Sequence, residues 1–301
     1  MKKSQLIYQY IREQRAVSKQ DIVIGLGLSL PTITQNLNNL AELGLIDTSK
    51  KISNTGGRNA IAYSYVEKAR YAVGLYLNRH HINCVAVDLS GNVISLIRVR
   101  ENFDLNDDNY LRKIGETVEE VKKDTGLPDD RFLGVGIAVQ GLISDDGERV
   151  TYGLTLNFTG VTRADIAKYI PYHNRLFHDS AAAGYAEVWD RNDLDDAFYL
   201  SLSNSVGGAV IVANKIFEGE RRKSGEIGHM TIIPKAGDRC YCGQRGCFDT
   251  VCRANVLAEY ADAVLLTVRQ DYARTADIND AIDRLSTDHT RMLGCVYNMA
   301  A

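Results

Sequence analysis

Three thiols crowd into eight residues as Cys240-Tyr-Cys242-Gly-Gln-Arg-Gly-Cys247, and an imidazole, His229, lies a short loop upstream. Three thiolates and one imidazole make the closed tetrahedral shell typical of structural zinc. Gly243 and Gly246 permit the tight turns that return Cys247 to such a metal. The expected ligands are therefore His229, Cys240, Cys242 and Cys247, and the expected cofactor is one structural zinc. The chain has six cysteines, and in a cytosolic chain crowding of this kind argues for metal rather than disulfides. Cys84 and Cys295, in apolar surroundings, read as core. So does Cys252, which is also the substitute ligand if one of the four is misassigned.

A second group of residues suits a different chemistry. Thr32, Gln35, Asn36 and Asn39 recur at helical spacing on one face, and short amides and hydroxyls of this kind can hydrogen-bond base edges and phosphates in a major groove. On an isolated helix such a face is usually just solvated. The neighbouring elements change the reading. Leu6, Ile7, Tyr10 and Ile11 predict a helix from about Ser4 to Arg15. Ser18 and Asp21 form a capping box for a second helix, broken at Gly25 and Gly27. Ser29 caps a third, with Pro31 in its first turn and Ile33, Leu37, Leu40 and Leu43 as its buried stripe. Thr55-Gly56-Gly57-Arg58 then makes a tight turn before the alternating segment Ala60–Tyr65. Three helices followed by a hairpin is the order of a winged helix-turn-helix, expected here over residues 1–65, with Arg58 placed to reach a phosphate or the minor groove.

Charge supports the division. Residues 1–65 carry eight lysines and arginines against four acids, whereas the remainder carries 27 against 34. A basic head on an acidic body suits a nucleic-acid module joined to something that does not bind nucleic acid. A length of 301 residues exceeds what one core usually organises. Apolar residues at 45% and charged ones at 24% describe an ordinary globular protein. The N-terminal MKKSQLIYQY lacks the apolar stretch of a signal peptide and no run is long enough to span a bilayer, so a cytoplasmic protein without a membrane partner is expected.

From Tyr71 onward strands and helices interleave, which predicts an α/β architecture. Strands are expected at Tyr71–Leu77, Asn83–Leu89, Val93–Val99, Phe132–Val139, Leu176–His178, Ala197–Leu202 and Ala209–Ala213, with a glycine turn at Gly207-Gly208. Helices are expected around Tyr110–Thr125 and Ser180–Trp189, and over the terminal Leu293–Ala301.

Gly225-Glu226-Ile227-Gly228-His229 followed by Cys240-x-Cys242-Gly243-x-x-Gly246-Cys247 resembles the signature of the ROK family of repressors, open reading frames and kinases. The stretches Ser29-Leu-Pro-Thr-Ile-Thr, Leu43-Gly44-Leu45-Ile46 and Gly56-Gly57-Arg58 resemble the winged helix of that family's repressors. The resemblance implies an actin-like ATPase (ribonuclease H-like) fold, with two lobes over residues 66–301 around a sugar cleft. It also implies that Glu226 and His229 contact sugar hydroxyls, that Asp179 is a further contact, and that Asp249 stands where the family commonly has a sugar-contacting glutamate. Asn157 completes the candidate sugar-binding set. His178 departs from the family's usual Asn before the Asp. The family pattern continues past residue 301 with further strands and a last helix, so the chain is expected to lack that end.

The resemblance leaves two readings, a sensor and an ATP-dependent sugar kinase. Kinases of the family carry Asp-x-Gly-Gly-Thr after the first strand, where glycines let the backbone approach phosphate. Here Tyr76 replaces the Asp and the turn Asn78-Arg79-His80 has no glycine. In the second phosphate-proximal turn, Ser205 and Ala209 fill positions where glycine is expected. Phosphoryl transfer depends on positioning, so the expectation is a non-enzymatic, sugar-responsive repressor. Its expected partners are operator DNA, a monosaccharide or derivative, and a second copy of itself in a homodimer or higher homo-oligomer.

Overall fold

A computed structural model describes residues 2–52, 60–189, 196–202, 205–220, 222–235, 237–252, 263–269 and 291–298. The chain begins with α1 (Lys3–Gln14), β1 (Ala16–Val17), α2 (Lys19–Leu26) and α3 (Leu30–Glu42). Four short strands follow: β2 (Ile46–Asp47), β3 (Lys51–Ile52), β4 (Ala60–Ile61) and β5 (Tyr63–Tyr65). The sequence periodicity places the core: Ile7, Ile11, Ile22 and Ile33 are fully buried and Leu37 nearly so. Each such side chain contributes about 1.5–3 kcal/mol through removal from water. The Ser18 capping box forms, with the Ser18 hydroxyl accepting from the Asp21 amide at 3.2 Å and Asp21 accepting from the Ser18 amide at 2.9 Å. β5 pairs antiparallel with β1 and β2, and β3 pairs with β4. The expected turn Thr55–Arg58 lies outside the described residues.

Leu43 corrects the buried stripe, because it is 55% exposed. α3 ends at Glu42, and Gly44, at φ +66°, reverses the chain. The Leu45 amide then donates to the Leu40 carbonyl at 3.0 Å, so Leu45 rather than Leu43 packs against the core.

The body is built on β6 (Tyr71–Leu77), β7 (His81–Asp88), β8 (Val93–Arg100), β9 (Phe132–Val139) and, after the short β10 (Leu142–Ile143) and β11 (Val150–Tyr152), β12 (Asn174–His178). The sheet order is β12-β9-β6-β7-β8, with β6, β7 and β8 an antiparallel meander and β9 parallel to β6 and β12. α4 (Asp108–Asp124) contributes Tyr110, Ile114, Val118 and Val121 to one core with Leu75, Ile82, Cys84 and Ile137. This core is separate from the one formed by the three N-terminal helices.

After α5 (Arg163–Ile166), α6 (Asp179–Val188) leads to β13 (Ala197–Leu202), β14 (Val206–Val212) and β15 (Lys215–Ile216), an antiparallel set. Gly207 and Gly208 lie inside β14 rather than in a turn before Ala209. Their lack of a side chain serves close packing, since a Cβ at Gly207 would collide with the Ser180 hydroxyl and one at Gly208 with Ile227. α7 (Asp249–Cys252) follows the cysteine loop, and β16 (Ala263–Arg269) pairs parallel with β17 (Arg291–Asn298). The expected terminal helix is thus a strand, as suits a segment holding Gly294, Val296 and Tyr297. Contacts divide the chain into two compact units, Met1–Asp179 with Trp189–Asp193, and Ser180–Val188 with Leu194–Ala301. Among the described residues no helix is long and apolar enough to cross a membrane.

Candidate functional site

His229, Cys240, Cys242 and Cys247 converge, and their ligand atoms all lie within 4.8 Å of one another. Backbone pairing makes the convergence. The Thr231–Cys247 and Arg239–Arg245 bridges bring the two arms of the loop together. The Cys240 amide donates to the Gln244 carbonyl at 2.8 Å, and the Gly243 amide to the Cys240 carbonyl at 2.9 Å. Gly243 and Gly246 both take left-handed φ, +92° and +69°, and a Cβ at Gly246 would also collide with the Ile233 carbonyl. Both positions therefore require glycine, as their place in the sequence predicts.

The donor set fits a metal ion. Cys240 Sγ lies 3.6 Å from His229 Nδ1, and Cys242 Sγ lies 3.7 Å from Cys247 Sγ. Burial, with neighbouring thiols, pushes the Cys247 thiol up to about 12, and burial also raises Cys240. Burial thus disfavours the thiolates of Cys240 and Cys247 until a cation neutralises them. Cys252 is half-buried and outside this cluster; Cys84 is fully buried in the first unit, as expected for core. Cys295 lies in β17.

The second ring nitrogen of His229 points elsewhere. Nε2 lies 3.8 Å from the Glu226 carboxylate, and Tyr241 packs edge-on to the ring at 5.1 Å. The segment carrying Glu226 is seated by glycines: a Cβ at Gly225 would collide with the Gly208 carbonyl, and one at Gly228 with the Val206 carbonyl. Asp249, at the start of α7, is buried and accepts from the Val206 amide at 2.7 Å. One of its oxygens is thus committed to the backbone of β14. Tyr241, the aromatic between two of the clustered cysteines, is a contact that the ligand spacing alone does not point to.

In the first unit Asp179 opens α6, and His178 Nε2 lies 3.7 Å from its carboxylate. Asn157 is exposed, at φ +54°, a left-handed conformation that Asn tolerates. The turn after β6 is closed by its own side chain. Asn78 Oδ1 accepts from the His80 amide at 3.0 Å and the His81 amide at 2.9 Å. Tyr76, at the position where an acid was expected in a kinase, accepts from Gln140 Nε2 at 3.1 Å. Arg79 donates to the Thr155 carbonyl at 2.7 Å. The Asn78 arrangement was missed, yet Asn before a turn is the usual signal of such an amide-capturing side chain.

On α3, Gln35 and Asn39 are exposed, as is Asn38, a further amide beside them. Asn36 donates to the Thr32 carbonyl at 2.7 Å and the Thr32 hydroxyl pairs with Ser29 at 2.9 Å, so these two are partly engaged by their own helix. Arg58 lies outside the described residues.

The model of the ROK family matches residues 72–290. The chain is 25% identical to the xylose repressor of Bacillus subtilis over 291 residues, covering 91% of this chain and 72% of that one. It is 24% identical over 288 residues to the DNA-binding transcriptional dual regulator NagC of Escherichia coli, covering 92% and 68%. Among solved structures it is similar to a ROK family transcriptional regulator homologous to the E. coli MLC protein, with TM-score 0.69 and 21% identity over 85% of this chain. The match covers 65% of that regulator, so the chain spans about two thirds of its length. The ROK hexokinase of Thermus thermophilus aligns with TM-score 0.52 and 23% identity over 63% of this chain and 62% of that one.

Proposed function

The chain belongs to the ROK family, and from this premise we propose that it is a sugar-responsive transcriptional repressor rather than a sugar kinase. The observation that carries the reading is the turn after β6, whose His80 and His81 amides are both taken by Asn78. Phosphate binding by a turn needs free amides and close backbone approach. In this turn Asn78 holds two of the amides and no glycine lets the backbone come close, while the Glu226–His229 segment keeps its family form. The xylose repressor and NagC, matched over 91% and 92% of this chain, are themselves named as regulators.

Residues 1–65 form the winged helix-turn-helix, with α3 entering the major groove. Gln35 and Asn39, with Thr32 and Asn36, face base edges and phosphates, and Arg58 reaches the backbone. One such head reads a half-site, so the working species is a homodimer or higher homo-oligomer on a two-fold operator. Residues 66–301 form the sensor. His229, Cys240, Cys242 and Cys247 hold zinc, which when bound neutralises the thiolates and fixes the loop. Glu226 accepts hydrogen bonds from adjacent sugar hydroxyls, and His229 presents Nε2 beside it. Asp179 and Asn157 add contacts, and Asp249 supports the site through its hold on β14.

The test is a thermal-shift panel of xylose, glucose, N-acetylglucosamine and their phosphates, with and without magnesium ATP. At least one sugar should raise the melting temperature and ATP should not. Stabilisation by ATP, with phosphorylated sugar recovered, would make the chain a kinase.

A further inference from the structure

Among the described residues, one place where the N-terminal helices are tied to the body is a corner at α1. Arg12, on α1, donates from Nη2 to the Trp189 carbonyl at 3.1 Å, and its guanidinium carbon lies 4.6 Å from the centre of the indole. Trp189 rests on the turn between β7 and β8, where a Cβ at Gly91 would sit 3.1 Å from indole Cδ1. Asp88 stiffens that turn by accepting from the Ser90 and Asn92 amides at 2.8 and 3.0 Å. The Ser90 hydroxyl pairs with the Tyr65 hydroxyl at 2.5 Å, and Tyr65 is the last residue of β5. One turn of the body thus meets both the end of the N-terminal sheet and, through Trp189, its first helix.

The helix that delivers Trp189 gives the corner its interest. α6 begins at Asp179, the carboxylate beside His178. Its body, Ser180–Val188, is counted with the second compact unit, while Asp179 and Trp189 at its two ends are counted with the first. Within the second unit α6 sits tightly on β13 and β14. A Cβ at Gly184 would lie 2.8 Å from that of Ala209 and 3.0 Å from that of Tyr199. A packed α-helix moves as a rod, so a displacement at its start reaches Trp189 rather than dissipating within the helix.

We infer that α6 transmits ligand binding to the DNA-binding head through the Trp189–Arg12 contact. Sugar at the Asp179 end alters the position of α6, Trp189 changes its grip on Arg12, and α1 is freed or reset. The inference rests on the sensor reading above and adds to it the route and the two residues at its end. The indole supplies the best ring face for a guanidinium, and the carbonyl hydrogen bond fixes the direction of approach, so the contact has one preferred geometry to lose.

Trp189 is the only tryptophan of the chain, so its emission reports this contact in the intact protein without a label. The probes are xylose, glucose, N-acetylglucosamine and their phosphates, with a duplex enriched from a random library as operator. A sugar that binds should shift the emission of the wild type, and Arg12→Lys, which keeps the charge but not the planar fork, should blunt that shift. In Trp189→Leu, sugar affinity and sugar-free operator affinity should stay within about threefold of wild type, while the sugar's effect on operator affinity falls from roughly 5–150-fold to under about threefold. A panel in which no sugar binds overturns the sensor reading and this inference with it. A sugar that binds and shifts operator affinity equally in wild type and Trp189→Leu overturns this inference alone.

Discussion

The turn after β6 and the loop that carries the cysteines differ in where their polar groups point. Both loops satisfy backbone groups internally. In the first, the side chain of Asn78 does the satisfying, so side-chain and backbone polarity cancel within three residues. In the second, carbonyls of the same loop take the amides of Cys240 and Gly243, which leaves the side chains of Cys240, Cys242, Cys247 and His229 to face one another. A loop keeps chemistry when its backbone closes on itself and its side chains do not. The departure from the kinase turn is therefore more than a missing glycine, because Asn78 already holds the His80 and His81 amides.

The largest effect should come from the cysteine loop. Cys247→Ser replaces a buried ligand with a hydroxyl that binds zinc poorly, so metal content should fall from near one per chain to near none. Stability of the second unit should drop by about 3 kcal/mol or more. Cys84→Ser, in the other core, should leave metal content unchanged. Elemental analysis with thermal unfolding checks both, and a metal-free Cys247→Ser protein that melts like wild type would break the contrast.

Gly246→Ala should follow in size, at about 2–4 kcal/mol, because it combines left-handed φ with a collision against the Ile233 carbonyl. Gly147→Ala sharpens the comparison: it shares the left-handed φ, at +76°, but meets open space, and should cost about 1 kcal/mol. Equal costs at the two positions would mean that the loop relaxes freely.

The phosphate turn should respond less. Asn78→Ala frees two amides and should cost about 1 kcal/mol in denaturant unfolding. It should not create a nucleotide site, because Tyr76 and the non-glycine turn remain. A rise of several degrees in melting temperature on adding magnesium ATP to this variant would show that Asn78 alone blocks phosphate.

An effect of comparable size lies away from both loops. Ser18→Ala removes the cap of α2 at a cost of about 1 kcal/mol. The Ser18 hydrogen bonds hold the Asp21 carboxyl below its ordinary value. Stability from that pair is therefore present above the unfolded carboxylate range, near pH 4, and is lost as pH falls through the lower folded value. The difference between wild type and Ser18→Ala should narrow on acidification below about pH 4, and a gap that widens there would contradict the assignment.

Much of this was legible in the sequence, for reasons that differ by region. The four candidate metal ligands are local or nearly so, and thiols at such spacing have few alternative uses. Strand and helix positions followed from apolar periodicity, which buried packing enforces. Leu43 was misplaced because periodicity continues past Glu42 on paper while Gly44 turns the chain in space. Gly207 and Gly208 were read as a turn because glycine in isolation cannot tell a bend from a close approach, and only Ser180 and Ile227 across the gap decide it. The terminal strand was missed because its partner, Ala263–Arg269, lies some two dozen residues away. The Trp189–Arg12 contact spans most of the chain and no spacing rule could have found it.

In the proposed function, sugar binding is read out on DNA and not as phosphoryl transfer. The most direct test measures affinity for a duplex enriched from a random library, with and without the sugar that stabilises the protein, in the absence of ATP. The sugar should change operator affinity roughly 5–150-fold and be recovered unmodified, whether or not magnesium ATP is then added. Operator affinity that ignores the sugar, or ATP-dependent appearance of a sugar phosphate that vanishes in Asp179→Asn, would contradict the account.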